Sequence, residues 1–476
     1  MPITSRVPRL LATGAALMAS VLVAYPAQPA QRGTVQIEPI HRLEVTIRTE
    51  ARSARLLVRA PATLIVADPK RVSRGAEVDT GRFGRGPLRL AGDGDRATTR
   101  FVVALTPGEA KRVRFVLSHQ GGGPSTVRVE NMNGDRGTLL RQVIHRAGGD
   151  RRFAIPTQRV AARGPAPDTE PLPPEVYAFY YMWYEIGDWT GGKPIADYND
   201  NPQPYASDDP AAIDRHIQQA QQAGLDGFLA SWLGRGTQTD DRLKLLEERL
   251  PDGFTFAAYV ETQFEAFQTE QELIDQLDYL LDTYASSDNY VRFRGRPVVY
   301  AFATRHLFQG EFGLHPNHLR AWRRILRELA ERGHQPYLIG EGRHFDPDNY
   351  EVFHGMHAYG TPDPDRSFAF NRKRELVARA WAAVHGGPRR IYAASVIPGY
   401  DDRHIERPQP TYHFPREDGA LYASQWAAAT DTASDQALVV SFNEWMETSN
   451  IEPNEEWGET YLDLTAQHAA EFRGSR

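Results

Sequence analysis

Near the C-terminus, a short apolar run is followed at once by acids and amides. The run Ala437–Phe442 has the composition of a buried strand, and Asn443, Glu444 and Glu447 come directly after it. Two carboxylates at this spacing suit acid–base chemistry on a glycosidic bond, in which one group gives a proton and the other takes one. Glu452 follows in the same stretch. Taken alone, the stretch fits a catalytic loop and an ordinary surface loop about equally well.

The elements that must position these acids alternate between strand-like and helix-like patterns from Val176 onward. Eight apolar runs separated by helix-length segments predict an α/β fold, a (β/α)8 TIM barrel. The predicted strands are Tyr177–Trp183, Gly227–Trp232, Thr255–Glu261, Pro297–Phe302, Pro336–Gly340, Val352–His357, Arg390–Val396 and Ala437–Phe442. The predicted helices lie near Ala211–Ala223, Arg242–Arg249, Glu270–Tyr284, Asn317–Arg332, Asn371–Val384, Ala420–Asp431 and Glu459–Phe472. A doubly wound sheet is the weaker alternative, because no glycine-rich turn follows the first strand.

Aromatic and charged residues stand at the C-terminal ends of these strands, which meet at one mouth in a parallel barrel. Sugar rings stack on aromatic side chains, and their hydroxyls need charged or amide partners. The inventory therefore predicts a carbohydrate cleft. It contains Tyr180, Tyr181, Trp232, Glu261, Tyr359, Arg403, Asn443 and Glu452. Singly, Trp232 is more typical of a core residue, and His216 of a helix-packing or surface residue.

Several other chemistries lack their motifs. The chain has no cysteine, no Gly-x-Ser-x-Gly turn at a strand end, and no phosphate-binding or dinucleotide loop. His354 and His357 would face opposite sides of a strand, which argues against a shared metal ion. We therefore expect neither a metal nor a cofactor.

The N-terminal segment has the pattern of a secretory signal peptide over residues 1–30. Arg6 and Arg9 precede the apolar run Leu10–Ala24, and small residues and prolines follow. No second long apolar run exists, so we expect no membrane span. The pattern predicts a bacterial protein exported to the periplasm or the medium.

Residues 34–160 predict a basic, all-β accessory domain of the sandwich type, residues 161–175 a proline-rich linker, and residues 176–476 the barrel. Residues 31–165 hold 25 Lys and Arg against 12 Asp and Glu, whereas residues 166–476 hold 28 against 49. The basic half could bind an anionic glycan or cell surface, or dock on the acidic half. The acidic half argues against nucleic acid as a substrate.

Motifs through the second part of the chain resemble glycoside hydrolase family 99, the endo-α-mannosidases and endo-α-mannanases. They occur in the family's order from 176 to 476. The motifs are Tyr180-Tyr-Met-Trp-Tyr184, Ala223-Gly-Leu-Asp-Gly-Phe with Ser231-Trp232, Gly295-Arg-Pro-Val298, Val396-Ile-Pro-Gly-Tyr-Asp-Asp402, and Phe442-Asn-Glu-Trp-Met-Glu with Ile451-Glu-Pro453. The chain departs from the family pattern at Met182, Met446 and Thr448–Asn450.

The resemblance implies a (β/α)8 barrel and a retaining reaction through a 1,2-anhydro sugar. It assigns Glu444 as the base that deprotonates the 2-hydroxyl and Glu447 as the acid/base. It places Glu261, Tyr359 and Arg403 among the substrate-binding residues, with Tyr180, Tyr181, Trp232 and Glu452 lining the pocket.

The resulting expectation is a secreted retaining endo-α-glycosidase acting on an α-mannan-like polysaccharide or glycan. Two alternatives stay open at this point. One is a hydrolase of another bacterial polysaccharide, such as an α-glucan or an amino-sugar polymer. The other is a non-catalytic glycan-binding barrel protein.

Overall fold

The computed structural model describes the strands of residues 41–156, and then residues 172–189, 201–308, 314–342, 347–360, parts of 367–381, and 390–405, 411–432 and 434–475. The predicted signal peptide, most of the predicted linker, and Arg343 and His344 after the fifth predicted strand lie outside the described residues. The domain boundaries therefore stay predictions.

The N-terminal region is rich in strands, as the alternating sequence pattern predicts. Two five-stranded antiparallel sheets form in the orders β3-β6-β1-β8-β9 and β10-β7-β2-β5-β4. Their strands are β1 His41–Thr49, β2 Ser53–Arg59, β3 Thr63–Val66, β4 Ala76–Glu77, β5 Pro87–Ala91, β6 Ala97–Leu105, β7 Arg112–Gln120, β8 Ser125–Asn131, β9 Gly137–Ile144 and β10 Asp150–Pro156. Alternate residues of β7 are fully buried at Val113, Phe115 and Leu117 and exposed at Arg112 and Arg114, which matches the period-two pattern.

The second part of the chain is a closed barrel of eight parallel strands, which confirms the predicted fold. The eight strands are β11 Glu175–Tyr180, β12 Gly227–Trp232, β13 Thr255–Glu261, β15 Arg296–Phe302, β16 Tyr337–Glu341, β17 Gly355–His357, β18 Ile391–Val396 and β21 Gln436–Val439. Each pairs in parallel with its neighbours, and β21 pairs with β11 to close the ring. Three two-residue strands lie outside the ring. They are β14 Arg292–Phe293, which pairs antiparallel with β15, and β19 Tyr400–Asp401 and β20 His413–Phe414, which pair with each other.

The helices lie within a few residues of their predicted positions. They are α1 Pro210–Gln222, α2 Gln238–Arg249, α3 Glu270–Tyr284, α4 His318–Glu331, α5 Ala420–Asp431 and α6 Thr460–Gly474, with further helical residues among 367–381. Between β16 and β17 the described residues form only a short 3-10 helix, Pro347–Glu351, where the sequence shows no helix pattern. Among the residues described, no helix has both the length and the apolarity needed to cross a membrane.

Strand parity divides the core into two layers. On β11, Tyr177 and Phe179 pack with the residues that fill the barrel, whereas Val176, Ala178 and Tyr180 pack outward with the surrounding helices. Successive side chains of a strand point to opposite faces. A residue at a strand end therefore reaches the barrel mouth only when its side chain is one of the alternate set that points into the barrel; we call this inward parity, and the other set outward parity.

Candidate active site

The acids of the C-terminal motif lie on a loop that leaves β21 at the barrel mouth. The loop is closed at its base by backbone hydrogen bonds from Ser441 N to Ser449 O (2.8 Å) and from Glu452 N to Phe442 O (2.8 Å). Phe442 N also donates to Phe179 O on β11 (2.8 Å). Because the two ends of the loop are bonded to each other and the first end is bonded to β11, the backbone that carries the two carboxylates is held at its base.

Glu444 is the most deeply buried of the two motif acids, with 3% of its surface exposed. Its backbone N–H donates to Ser441 Oγ (2.6 Å), and its Oε1 accepts from Met446 N (3.1 Å). Burial raises the pKa of Glu444 well above its ordinary value, and the negative charges of Glu447 and Glu261 raise it further. The carboxyl group of Glu444 therefore binds its proton more tightly than an ordinary glutamate does, and its ionised form is a stronger base.

Glu447 is held by two tyrosines. Its Oε2 accepts from Tyr359 Oη (3.0 Å) and its Oε1 from Tyr400 Oη (2.8 Å). The hydroxyl of Tyr181 donates in turn to Tyr359 Oη (2.9 Å). Burial and the nearby carboxylates raise the pKa of Tyr181 and of Tyr359 well above the ordinary value, so both phenols remain neutral donors.

Glu261 is the third carboxylate at the mouth, at the end of β13. Its Oε1 accepts from Ser231 Oγ (3.0 Å) and its Oε2 from Gln263 Nε2 (3.1 Å). Burial raises the pKa of Glu261 to about 7, against the effect of these two hydrogen bonds, and the charge of Glu447 adds to the rise. The side chain points inward, as its parity on β13 requires, and meets the same site as Glu444 and Glu447.

Arg403 lies at the rim, beside the acids. Its Nη2 and Nε bind the two carboxylate oxygens of Asp401 (2.6 and 2.9 Å), and about half of its side chain is exposed. Asp401 is joined to the loop that carries Glu444 and Glu447, since its N–H donates to Glu447 O (2.8 Å) and its backbone carbonyl accepts from Thr448 Oγ1 (2.8 Å). The structure thus places Arg403 next to this loop through Asp401.

A cleft of about 440 Å³ opens beside this rim, within the size range of ligand sites. It is lined by Tyr400, Asp401, Arg403, His413, Phe414, Pro415, Arg416, Glu417, Asp418, Thr448, Glu456 and Trp457. The lining combines aromatic rings with four carboxylates and two arginines. Tyr400 both lines the cleft and donates to Glu447, so the cleft adjoins this carboxylate.

Four predicted pocket residues lie behind the site instead of lining it. Tyr180 and Trp232 have outward parity and pack in the layer between strands and helices, where Tyr180 Oη bonds His216 Nδ1 (2.9 Å) and Trp232 Nε1 donates to Asp240 Oδ1 (3.2 Å). The prediction that they face sugar is wrong for this physical reason. Asn443 and Glu452 are equally buried and bond to protein groups.

Asn443 connects the loop that carries Glu444 and Glu447 to the segment that follows β11. Its Oδ1 accepts from Tyr181 N (2.7 Å), and its Nδ2 donates to Tyr181 O (2.8 Å) and to Tyr205 Oη (3.1 Å). The backbone carbonyl of Asn443 accepts from Tyr184 Oη (2.7 Å). Both the side chain and the backbone of Asn443, which directly precedes Glu444, are therefore held by hydrogen bonds to other parts of the protein.

Some residues of the site were not foreseen from the sequence. Tyr400, Ser231 and Gln263 hold Glu447 and Glu261, and only the first two could have been found, since both lie in the strand-end motifs. His216 is fully buried and packs from its helix against Tyr180 and Phe442, which agrees with the helix-packing alternative and excludes the surface one. Its Nε2 lies 3.1 Å from Glu452 Oε1.

Away from the mouth, three potential metal ligands lie together on the helical surface: Asp278, Asp282 and His334. His334 Nε2 is 3.2 Å from an oxygen of each aspartate, and Arg332 binds Asp278 as well. These contacts make the group an ion-pair cluster of the outer surface.

The sequence profile described as Glycosyl hydrolase family 99 matches residues 192–470. A human glycoprotein endo-alpha-1,2-mannosidase-like protein is 24% identical over 287 residues, which cover 55% of this chain and 58% of that protein. The rat glycoprotein endo-alpha-1,2-mannosidase is 23% identical over 351 residues, covering 62% and 72%. The chain thus spans little more than half the length of several curated relatives that it matches.

A solved structure shares the fold. The GH99 endo-alpha-mannosidase from Bacteroides thetaiotaomicron superposes with a TM-score of 0.51 at 21% identity, covering 63% of this chain and 98% of that one. The matched profile extends over more than half of the chain and includes the loop that carries Glu444 and Glu447. The chain therefore belongs to glycosyl hydrolase family 99.

Proposed function

We propose that this protein is a retaining glycoside hydrolase that cleaves within an α-mannan-like polysaccharide or glycan. The observation that carries the proposal is the meeting of Glu444, Glu447 and Glu261 at the barrel mouth, where burial and mutual repulsion raise the pKa of two of them. Carboxyl groups with perturbed pKa values in a barrel mouth are typical of glycosidase sites. The names of the relatives, endo-alpha-1,2-mannosidase and endo-alpha-mannosidase, support mannose as the sugar.

In the proposed first step, Glu444 removes the proton of the 2-hydroxyl of the sugar to be cleaved. The 2-oxygen attacks the anomeric carbon, the glycosidic bond breaks, and Glu447 gives its proton to the leaving oxygen. In the second step Glu447 takes a proton from water, whose oxygen attacks the anomeric carbon and opens the 1,2-anhydro ring, while Glu444 returns its proton to the 2-oxygen. Two displacements at one carbon give net retention.

In the free site, the contacts of the two glutamates favour a proton on Glu444 and not on Glu447, the reverse of what the first step needs. Two tyrosine hydroxyls donate to Glu447, which favours the ionised form, whereas burial favours the protonated form of Glu444. The proposed first step needs Glu444 ionised and Glu447 protonated, so the mechanism requires a proton to pass from Glu444 to Glu447 before the glycosidic bond breaks.

The cleft beside Tyr400 supports a chain that continues past the cleavage point. It adjoins Glu447, the group proposed to protonate the leaving sugar, and its aromatic and carboxylate lining suits the faces and hydroxyls of sugars. Four carboxylates against two arginines disfavour uronates and phosphorylated sugars. A neutral chain fits this lining best.

The experiment compares the wild-type protein with Glu444→Gln and Glu447→Gln on neutral α-mannan oligosaccharides and on an α-mannosyl-α-mannosyl fluoride, whose leaving group needs no proton. We expect both variants to lose at least a thousandfold in kcat on the oligosaccharides. On the fluoride, the first turnover of Glu447→Gln should be spared and that of Glu444→Gln should not. The reverse pattern would exchange the two roles, and a wild-type protein that binds mannan without cleaving it would refute hydrolysis.

Two further proposals concern the N-terminal part. We infer export from the signal-peptide pattern of residues 1–30. We also infer that the accessory domain binds an anionic glycan, which is supported by exposed arginines on neighbouring strands. Arg112, Arg114 and Arg152 are exposed, and the register of β7 and β10 puts them on one face.

A further inference from the structure

A buried polar cluster lies directly behind the catalytic loop. Its centre is the carboxylate of Glu452, which is 4% exposed and seven residues beyond Trp445. Glu452 Oε2 accepts from Trp445 Nε1 (2.7 Å) and from Tyr205 Oη (3.0 Å). A buried carboxylate needs such donors, because an unpaired charge in this position would be strongly unfavourable.

The cluster reaches the backbone on both sides of Glu444. Tyr205 Oη accepts from Asn443 Nδ2 (3.1 Å), and Asn443 precedes Glu444. Trp445, which follows Glu444, is held by its indole N–H on Glu452 and by its backbone N–H, which donates to Tyr184 Oη (3.1 Å). Glu444 thus lies between two residues that are linked to one buried carboxylate, Trp445 directly and Asn443 through Tyr205.

The other oxygen of Glu452 faces the helix layer. Glu452 Oε1 lies 3.1 Å from His216 Nε2, and His216 Nδ1 contacts Tyr180 Oη (2.9 Å). His216 belongs to α1 and Tyr180 to β11. The carboxylate therefore connects the catalytic loop to two elements of the barrel frame.

We propose that Glu452 and Tyr205 are positioning residues for the base Glu444, acting through Asn443 and Trp445 and touching no substrate. The proposal rests on the proposed function, because it assigns the residues that set the geometry of the same reaction. A catalytic carboxylate must be held within a fraction of an ångström of the reacting proton. Four buried side chains supply that constraint.

The test uses Tyr205→Phe, which removes one hydroxyl and leaves the ring and the fold. The matched control is Tyr422→Phe, because Tyr422 is also fully buried and its hydroxyl bonds Thr465 Oγ1 (2.8 Å) in the helix layer. We expect Tyr205→Phe to lower kcat ten- to a hundredfold with KM within threefold of wild type. The control should keep wild-type kcat with a similar change in Tm.

Two readouts separate positioning from general loosening. In Tyr205→Phe, freer access of water to Glu444 should lower its pKa and move the acid limb of the kcat/KM profile to lower pH. Glu452→Gln should retain kcat within fivefold, since one amide oxygen can accept from both Trp445 and Tyr205, whereas Glu452→Leu should lose at least a hundredfold. Tyr205→Phe is the decisive variant should Glu452→Leu fold poorly.

The outcomes are distinct. An active wild type with Tyr205→Phe equal to the Tyr422→Phe control in kcat and pH profile would overturn the positioning role, as would a Glu452→Gln variant as impaired as Glu452→Leu. A wild type that cleaves no mannan or other glycan would instead overturn the proposed function. In that case Glu452 and Tyr205 have no base to position, and this inference fails with it.

Discussion

The carboxyl group of Glu261 should make the protein less stable as the pH rises. It is 4% exposed, and burial with the charge of Glu447 raises its pKa to about 7, compared with about 4.3 for a glutamate in an unfolded chain. Between these two values the folded protein binds more protons than the unfolded chain, so folding stability falls as pH increases. Above the pKa of Glu261 in the folded protein, this carboxyl group is ionised in both states and the loss of stability is complete.

Glu261→Gln removes this titration while keeping the shape of the side chain. The amide oxygen can still accept from Ser231 Oγ, and Gln263 can turn its own amide to accept from the new NH2 group. The difference between the two pKa values corresponds to roughly 4 kcal/mol, so relative to wild type the variant should gain roughly 4 kcal/mol at pH 8 and only about 1 kcal/mol at pH 5. For a chain of this length that is a Tm gain of roughly 3–5 °C at the higher pH.

The measurement is calorimetric Tm at pH 5, 6, 7 and 8 for wild type, Glu261→Gln and the control Glu455→Gln, whose side chain is exposed. The quantity that matters is the change of the Tm difference with pH, because lost contacts add a constant at every pH. A Tm difference between Glu261→Gln and wild type that is flat from pH 5 to 8 would refute the reasoning. So would a difference that grows toward acid pH.

Three further predictions follow from the placement of side chains. Tyr400→Phe removes a donor that orients Glu447 and stabilises its ionised form, which activates water in the second step, so kcat should fall about ten- to a hundredfold with normal folding. An unchanged kcat would show that this hydrogen bond does not contribute to catalysis. Trp232→Phe should lower Tm and leave KM for glycans unchanged, because the indole is buried away from the mouth; a raised KM would return it to the pocket. Replacing Arg112 and Arg114 together with Ser should weaken retention on a sulfated polysaccharide column and reduce its salt dependence, whereas equal retention would favour docking within the chain.

Much of the barrel could be predicted from the sequence, because its strands are apolar runs with clear limits. β12 and β13 and the helix α3 lie where the pattern placed them. The C-terminal ends of the strands then identified Glu261, Tyr181, Tyr359, Glu444 and Glu447 without any knowledge of contacts. These residues form one site because a closed parallel barrel brings all strand ends together.

The alternation of side chains along a strand explains why Tyr180 and Trp232 were wrongly predicted to line the pocket. Strand limits known to within one or two residues do not fix which side chains point inward, so Tyr180 and Trp232 were placed at the mouth together with their inward neighbours Tyr181 and Ser231. The predicted first strand extended to Trp183, whereas β11 ends at Tyr180. A shift of one residue exchanges the two faces of a strand.

The supporting contacts were beyond reach for a different reason. Tyr205 and Glu452 are 247 residues apart in sequence, and their hydrogen bond exists only because the barrel closes. Tyr400 reaches Glu447 from the short hairpin of β19 and β20, which has no strong strand pattern. Only the folded chain shows that Glu452 supports the loop.

The most direct test of the central claim is the anomeric configuration of the first product, followed by NMR while wild-type protein cleaves a neutral α-mannan oligosaccharide. A retaining reaction through a 1,2-anhydro sugar predicts internal cleavage with an α-configured reducing end, and this product should be absent in both Glu444→Gln and Glu447→Gln. A β-configured first product would contradict the two-step reaction through a 1,2-anhydro sugar, and undiminished cleavage by either variant would remove that glutamate from the mechanism.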